Sequence, residues 1–361
     1  MEVPKSHYIS TAKLGNVFND TTATYKFYWF LSIIQLHTTE RRSSFSVWDI
    51  ISRMVANAWY PINYFRLSFG YSDSLFRIVK DIREYTGIPI DANLEEVYGE
   101  IRERLSDKSV KDILNQLTLN VPFRFLHPWL KCRDNKQTVL LSQAFTNDCL
   151  YAIIPDDDKF RIEINPLWDD YLYEHNSILT DFAYWNLTHF VQKRNPNVPA
   201  ISDKLIKKET RNSLTRQHKY WNMVIEIGGP IKCIYTGHTI SDLSYDLDHF
   251  MPWSFVAHDL LWNLIPADGS INGSKSNKLP PLDIYLARHA DMQYHAIHTL
   301  RKAGQPDKLF DDYLSLGYCI DELMAMPTDI FREVFRQTYT PISQIAQNMG
   351  YETWQIPINP E

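Results

Sequence analysis

Apolar residues in the first third of the chain recur mainly with helical spacing. Residues 25–36 are apolar on nearly every side, which predicts a buried helix that the threonines before it can cap. Ser46 is suited to cap a second helix over residues 47–59, with Pro61 marking a break or kink. The same spacing predicts further helices over residues 72–85, 93–105 and 110–117.

The pattern changes in the middle of the chain. Residues 150–154 are apolar, residues 160–164 alternate between apolar and polar, and the two flank the turn 155–158, which predicts a β-hairpin with alternating faces. Helical spacing then returns and predicts helices over residues 167–193, 202–223, 282–303, 307–324 and 328–339. The expected fold class is therefore mainly α with a small α+β insertion.

Turn-forming residues divide the chain into four predicted parts. Gly228, Gly229 and Pro230 form a hinge, and two further prolines follow at 280 and 281. The predicted parts are an N-terminal helical domain (1–148), a hairpin with long helices (149–230), a small α+β module (231–281) and C-terminal helices that pack back on the scaffold (282–361).

The small module contains the residue types that metal-assisted phosphodiester cleavage requires. Asp248 and His249 are followed by Asn263, Asn272 and Lys275. Carboxylate and amide oxygens suit a hard divalent cation, and a histidine accepts a proton from water at neutral pH. A lysine offsets charge that develops on a phosphate. The segment therefore predicts a nuclease site.

Three stretches of this module resemble an HNH endonuclease, and most closely the subtype found in CRISPR effectors. They are DLDHFMPWSF (246–255), WNL (262–264) and NGSKSNKLP (272–280). The resemblance implies a ββα-metal module carried by a helical scaffold.

The resemblance also implies a role for each matching residue. His249 would be the general base, and Lys275 would neutralise the phosphate or the leaving group. Asn263 would fix the loop between the strands and hold His249 by hydrogen bonding, without touching substrate. Asp248 and Asn272 would be the metal ligands, with Mg²⁺ or Mn²⁺ as the cofactor. Asp246 shares a strand face with Asp248, but it could equally be a solvated carboxylate. We expect His238 and His258 to be structural.

Cysteine usage bears on metal content and compartment. Relatives often carry a zinc knuckle of paired cysteines, but Cys233 is followed by Ile-Tyr-Thr-Gly and lacks its partner. The other three cysteines are scattered, so we expect no structural zinc. Single cysteines and no signal peptide favour the cytoplasm. The longest apolar run, 27–36, is too short to cross a bilayer, so no membrane role is expected.

Charge is distributed unevenly along the chain. The net charge is −6, yet segment 193–219 has eight lysines and arginines against two carboxylates, a local charge of +6. Such a run is often only a solvated helix face, but beside a nuclease motif it favours a phosphate-contacting surface. The predicted nucleic-acid-binding residues are Lys204, Lys207, Lys208, Arg211, Arg216 and Lys219.

These observations predict a Mg²⁺-dependent HNH endonuclease that hydrolyses DNA. The acidic remainder suggests that a second copy or a partner protein completes the DNA groove. By analogy with helical proteins that carry such modules, the setting would be bacterial phage defence or a mobile element. Two alternatives stay open: an RNA-cutting HNH nuclease, and a nucleic-acid-binding or assembly protein whose HNH module is inactive.

Overall fold

Helices dominate the computed structural model, which describes residues 2–132, 134–207, 213–241 and 243–355. The predicted fold class, mainly α with a small α+β part, is confirmed. The chain divides into two compact units, Met1–Pro196 with Ile201–Lys207 and Asn197–Ala200 with Lys208–Glu361. The division into four parts at 148, 230 and 281 stays a prediction.

The first unit is built around two buried helices. The described helices are α1 (Ala12–Gly15), α2 (Tyr25–Glu40), α3 (Val47–Asn63), α4 (Ser74–Thr86), α5 (Leu94–Glu103), α6 (Lys108–Thr118), α7 (Val121–Arg124), α8 (His127–Leu130), α9 (Asn135–Gln143), α10 (Pro166–Glu174), α11 (Asn176–Gln192) and α12 (Ile201–Lys204), with a 3₁₀ turn at Thr146–Asp148. The apolar residues of α2 are almost fully buried, as its all-round apolar pattern predicts.

Helix α3 begins as its sequence indicates. The Ser46 side chain accepts a hydrogen bond from the backbone N–H of Trp48 at 3.2 Å, so the predicted cap is present. Pro61 lies in the last turn, and the helix ends two residues later at Asn63. A proline at that position interrupts little of the helical hydrogen bonding that precedes it.

A three-stranded antiparallel sheet contains the predicted hairpin. Strands β2 (Tyr151–Asp156) and β3 (Lys159–Ile164) pair from Tyr151↔Ile164 to Asp156↔Lys159. The sequence pattern missed β1 (Ser44–Ser46), which pairs with the other edge of β3 to give the order β1-β3-β2. Three residues are too few for alternation to be recognised.

The second unit places short strands among helices. Its described helices are α13 (Thr215–Gly228), α14 (Trp253–Val256), α15 (Gly269–Lys275), α16 (Leu282–Lys302), α17 (Ile320–Ala325) and α18 (Thr328–Asn348), with 3₁₀ segments Leu261–Asn263 and Asp307–Leu316. Two antiparallel pairs join β4 (Ile231–Lys232) to β5 (Thr239–Ile240) and β6 (Asp246–His249) to β7 (Leu264–Ala267). One apolar core runs beneath these elements.

Three predicted helices are divided in the structure. The helix expected over 167–193 is interrupted at His175, which separates α10 from α11. No proline or glycine at this position indicates the break. The helix expected over 202–223 is the short α12 and, after residues 208–212 that lie outside the described part, α13. The helix expected over 307–324 ends at Gly317, whose φ of 88° is left-handed and stops the helix.

The last helix is longer than predicted. Helix α18 continues through Pro341 to Asn348 instead of ending near residue 339. In the part of the chain that the structure describes, no helix is both long and apolar enough to span a bilayer.

Candidate active site

The frame of the site is the β6–β7 hairpin with α15 following it. The register pairs Asp246 with Ala267 and His249 with Leu264. Helix α15 begins two residues after β7 and packs on β6. This is the strand–strand–helix order that the sequence motif implied.

Two polar pairs join β6 to α15. Asn272 Nδ2 lies 3.3 Å from Asp246 Oδ2, and Lys275 Nζ lies 2.9 Å from Asp248 Oδ1. Residues two apart on a strand share one face, and residues three apart on a helix share one side. The spacing of the four residues therefore lets the two pairs form side by side.

The outer pair, Asp246 with Asn272, lies at the start of α15, where the Gly269 backbone comes close to the Asp246 carboxylate. A Cβ added at Gly269 would lie 3.1 Å from Asp246 Oδ2, which is tighter than nearly all contacts of real Cβ atoms. A larger residue would push the Asp246 carboxylate away, so glycine suits this position.

The inner pair is buried and fully occupied. Asp248 is 2 % exposed and Lys275 is not exposed at all. Besides Asp248, the Lys275 ammonium donates to the His249 carbonyl oxygen at 2.6 Å, and the Tyr235 hydroxyl donates to Asp248 Oδ2 at 2.5 Å. Burial, and then the neighbouring Asp248 carboxylate, raise the pKa of Tyr235 well above its usual value, so this hydroxyl stays protonated.

This arrangement changes two of the expected roles. Lys275, expected to neutralise the phosphate or leaving group, is instead buried inside the module and ties α15 to β6. Asp248, expected as a metal ligand, already uses both carboxylate oxygens to accept hydrogen bonds. The carboxylate that the structure brings beside Asn272 is that of Asp246, which is exposed.

His249 has a carboxylate partner that the sequence pattern did not reveal. His249 Nε2 lies 2.8 Å from Asp259 Oδ1, and both side chains are partly buried. The backbone carbonyl oxygen of Asp259 accepts a hydrogen bond from Gln217 Nε2 of α13 at 2.8 Å. Asp259 follows His249 by ten residues in a loop without regular spacing, so no periodic signal could have identified it.

Asn263 fixes the loop after β6, as expected, but through a different residue. Its Oδ1 accepts from the backbone N–H of Met251 at 2.9 Å, and its Nδ2 donates to the Met251 carbonyl at 3.0 Å. The Tyr339 hydroxyl donates to the same Oδ1 at 3.1 Å. The Asn263 side chain is fully buried, and its hydrogen bonds go to Met251 and Tyr339 rather than to His249, so it positions the loop and is not exposed to substrate.

A buried histidine supports the loop from below. The His289 ring stacks on Phe250 with centroids 4.2 Å apart, and its Nε2 lies 2.9 Å from the Trp262 carbonyl oxygen. Burial lowers the pKa of His289 to about 3, so it is neutral at physiological pH. A neutral ring can donate its Nε2 proton to the carbonyl, which makes this histidine a packing element.

The two histidines expected to be structural both lie in the module. His238 has a largely exposed side chain 3.4 Å from Asp268. The Nδ1 atom of His258 accepts from the backbone N–H of Leu260 at 3.4 Å, and its ring packs on Trp262.

Two of the predicted nucleic-acid-binding residues, Lys204 and Lys207, are engaged within the first unit. Lys204 is fully buried, with its ammonium 5.9 Å from the Phe65 ring, so it is not available to a phosphate in this structure. Burial lowers the pKa of Lys204 to about 7, so its charge is also weakened at neutral pH. The Lys207 ammonium donates to the backbone carbonyl of Asp91 and lies over the Tyr60 ring.

The remaining basic residues differ in placement. Lys208 and Arg211 lie outside the described residues. Arg216 and Lys219 are exposed on α13, the helix that also holds the Asp259 backbone through Gln217. Arg216 forms an ion pair with Asp312.

Comparison with known protein families agrees with the geometry. Residues 233–281 match the family model described as HNH endonuclease. This segment therefore belongs to the HNH endonuclease family, and the chain carries an HNH module within a larger protein. Comparison with curated proteins and with solved structures found no significant match. The assignment to the CRISPR-effector-like subtype stays a prediction.

Proposed function

We propose that this protein is a metal-dependent endonuclease that hydrolyses phosphodiester bonds in DNA. The observation that carries the proposal is the hydrogen-bonded His249–Asp259 pair at the end of the same short strand that carries Asp246 beside Asn272. The proposal includes the biological setting that the resemblance implies, phage defence or a mobile element.

His249 is the proposed general base. When Asp259 accepts the proton on Nε2, the lone pair of the neutral imidazole lies on Nδ1. Nδ1 then takes a proton from the attacking water while the water oxygen forms its bond to phosphorus. The bond from phosphorus to the leaving oxygen breaks, and the Asp259 carboxylate stabilises the imidazolium that forms.

The residues present fit a hard divalent cation such as Mg²⁺ or Mn²⁺. Asp246 offers an exposed carboxylate, and the adjacent Asn272, whose Nδ2 donates to that carboxylate, would turn its amide oxygen to the cation. We therefore propose Asp246 and Asn272 as the ligands, with the buried Asp248 holding the frame. When bound, the cation would stabilise negative charge on the phosphate and on the leaving oxygen.

Nucleic acid would approach along the exposed side of α13. Arg216 and Lys219 are exposed on that helix, and its Gln217 holds the Asp259 backbone. Lysines and arginines contact phosphates without regard to base sequence. One site of this kind cuts one strand, so we propose that two copies act together when both strands are cut.

The test is cleavage of supercoiled plasmid by the wild type, by His249→Ala and by His238→Ala, each with Mg²⁺, Mn²⁺ or EDTA. His238→Ala is the matched control, because its side chain is largely exposed and bonds neither to Asp259 nor to Asn272. We expect wild type and control to nick the plasmid in either metal, and His249→Ala and all EDTA samples to leave it intact.

Two outcomes would replace the proposal with its rivals. Cleavage of RNA but not of DNA of the same sequence would identify an RNA-cutting HNH enzyme. Retardation of DNA by the wild type without cleavage in either metal would identify a binding protein with an inactive module.

A further inference from the structure

A large pocket in the first unit has no part in the proposed cleavage. It encloses about 960 Å³ and lies where the starts of α2, α4 and α9 meet the α7–α8 stretch. Ligand pockets for small molecules commonly enclose about 300–1,000 Å³, so this one is large enough for a molecule of nucleotide size.

Three basic side chains line this pocket, two of them cations and the third a histidine. Lys26 comes from α2, and Arg124 and His127 come from the α7–α8 stretch three residues apart. The Lys26 ammonium donates to the backbone carbonyls of Val17 at 3.2 Å and Asp20 at 2.9 Å. Within the described ranges, neither Lys26 nor Arg124 forms an ion pair with a carboxylate, so these positive charges are not neutralised by direct contact.

The charges that act on His127 also indicate that positive charge predominates in this part of the pocket. Burial lowers the pKa of His127, and the charges of Lys26 and Arg124 lower it further, more strongly than Asp20 raises it. Two carboxylates also line the pocket. Asp134 Oδ1 accepts from the backbone N–H of Lys136 as the cap of α9, and Asp20 is exposed. The cationic side chains therefore dominate near His127.

The rest of the lining combines polar groups with a comparable area of apolar surface. Hydroxyl groups come from Thr21, Thr22, Ser72 and Ser74, and amides come from Gln116, Asn120 and Asn135. Such a lining offers hydrogen-bond donors and acceptors to a phosphate and apolar surface to the rest of a ligand. Together with the charges of Lys26 and Arg124, it fits an anionic ligand better than an uncharged one.

We propose that this pocket binds a small phosphate-bearing molecule of nucleotide size through Lys26, Arg124 and His127. A guanidinium can donate two parallel hydrogen bonds to phosphate oxygens, and an ammonium acts as a compact point charge. The three groups converge on one cavity instead of following a line along the surface. That arrangement fits a compact ligand rather than the backbone of a nucleic acid strand.

The test is calorimetric titration of the full-length protein, in EDTA, with inorganic tripolyphosphate and with ATP; adenosine is the uncharged comparison. The test variant is Arg124→Gln with His127→Gln. Lys136→Gln is the matched control, because Lys136 is an exposed cation close in sequence that does not line the pocket. Thermal unfolding of each variant verifies that it is folded.

We expect saturable binding of tripolyphosphate and ATP at one site per chain, no binding of adenosine, and affinity weakened at least about tenfold in the double variant. The control should bind like the wild type. Absence of tripolyphosphate binding, equal affinity in the double variant, or equal weakening in the control would each overturn the proposal. So would a single-stranded oligonucleotide that binds more tightly than ATP through the same residues, since that result identifies a nucleic-acid groove.

Discussion

Asp246 and Asp248 lie two residues apart on the same strand and face the same helix, yet their environments are opposite. Asp246 is exposed beside the neutral amide of Asn272. Asp248 is buried, with hydrogen bonds from the Lys275 ammonium and the Tyr235 hydroxyl.

The two environments suit two purposes on one short strand, holding the frame and binding a cation. A buried carboxylate requires a charged partner and complete hydrogen bonding, because removing it from water is costly. Asp248 has both, and this commits it to holding the frame. An exposed carboxylate keeps free lone pairs, as the binding of a hard cation requires. The following predictions test this division, in order of decreasing expected effect.

Removing the exposed carboxylate should abolish activity and leave the fold intact. We expect Asp246→Ala to lower cleavage by at least about 10³-fold, because a ligand of the cation is lost. The free energy of unfolding should change by no more than about 0.5 kcal/mol, as for most surface substitutions. Plasmid cleavage, Mn²⁺ binding by electron paramagnetic resonance and urea unfolding measure the three quantities.

Asp283→Ala, an exposed carboxylate at the start of α16, is the control for general loss of negative charge. Normal Mn²⁺ binding by Asp246→Ala, together with loss of binding in a folded Asp248→Ala protein, would reverse the comparison.

Breaking the buried pair should instead destabilise the module. We expect Asp248→Ala or Lys275→Met to lower the free energy of unfolding by about 3–5 kcal/mol, because either change leaves a buried charge without its partner. Urea unfolding measures the loss. Lys278→Met, an exposed lysine on the same segment, is the matched control and should stay within about 0.5 kcal/mol of the wild type.

A double variant tests whether Asp248 and Lys275 only stabilise the module or also take part in metal binding. Asp248→Leu with Lys275→Met removes both charges and should be more stable than either single variant. If that folded double variant no longer binds Mn²⁺, the assignment of the metal site to Asp246 and Asn272 is wrong.

At the end of the same strand, Asp259 should orient His249 without binding the cation. We expect Asp259→Asn to lower kcat about 10- to 100-fold with KM and Mn²⁺ affinity unchanged, because the amide can donate to Nε2 and favour the other tautomer. Steady-state kinetics and ¹⁵N NMR of the imidazole measure the effect. An Asp259→Asn protein that keeps both the wild-type tautomer and kcat would exclude this role.

The buried His289 should make stability depend on pH in a defined window. Its folded pKa of about 3 lies below the ordinary value of 6.5, so the unfolded chain takes up the proton first. Stability should therefore be complete above pH 6.5 and fall as pH approaches 3. Between pH 6 and 5, the wild type should lose about 1.4 kcal/mol more than His289→Gln does.

Urea unfolding at the two pH values measures that difference. His238→Gln is the control, since the His238 side chain is largely exposed. Equal pH dependence in the wild type and in His289→Gln would mean that the buried ring is not the titrating group.

Much of the architecture could be predicted from local pattern. The hairpin of β2 and β3, the cap at Ser46 and the buried helix α2 follow from alternation, capping chemistry and all-round apolar spacing. The breaks at His175 and Gly317 could not be located in this way. His175 is not a helix-breaking residue type, and glycine alone does not reveal whether a helix ends there.

Residue type and spacing were enough to predict the mainly helical class and the HNH module, because both are recorded in local pattern. The roles of His249, Asn263 and Asn272 stay predictions. Folding sets which carboxylate is buried. It also brings the Tyr235 hydroxyl to Asp248 and the Asp259 carboxylate to His249. It also decided that Lys275 and Lys204 lie in the interior. Exposure and partner choice depend on segments brought together by folding, and no local pattern encodes them.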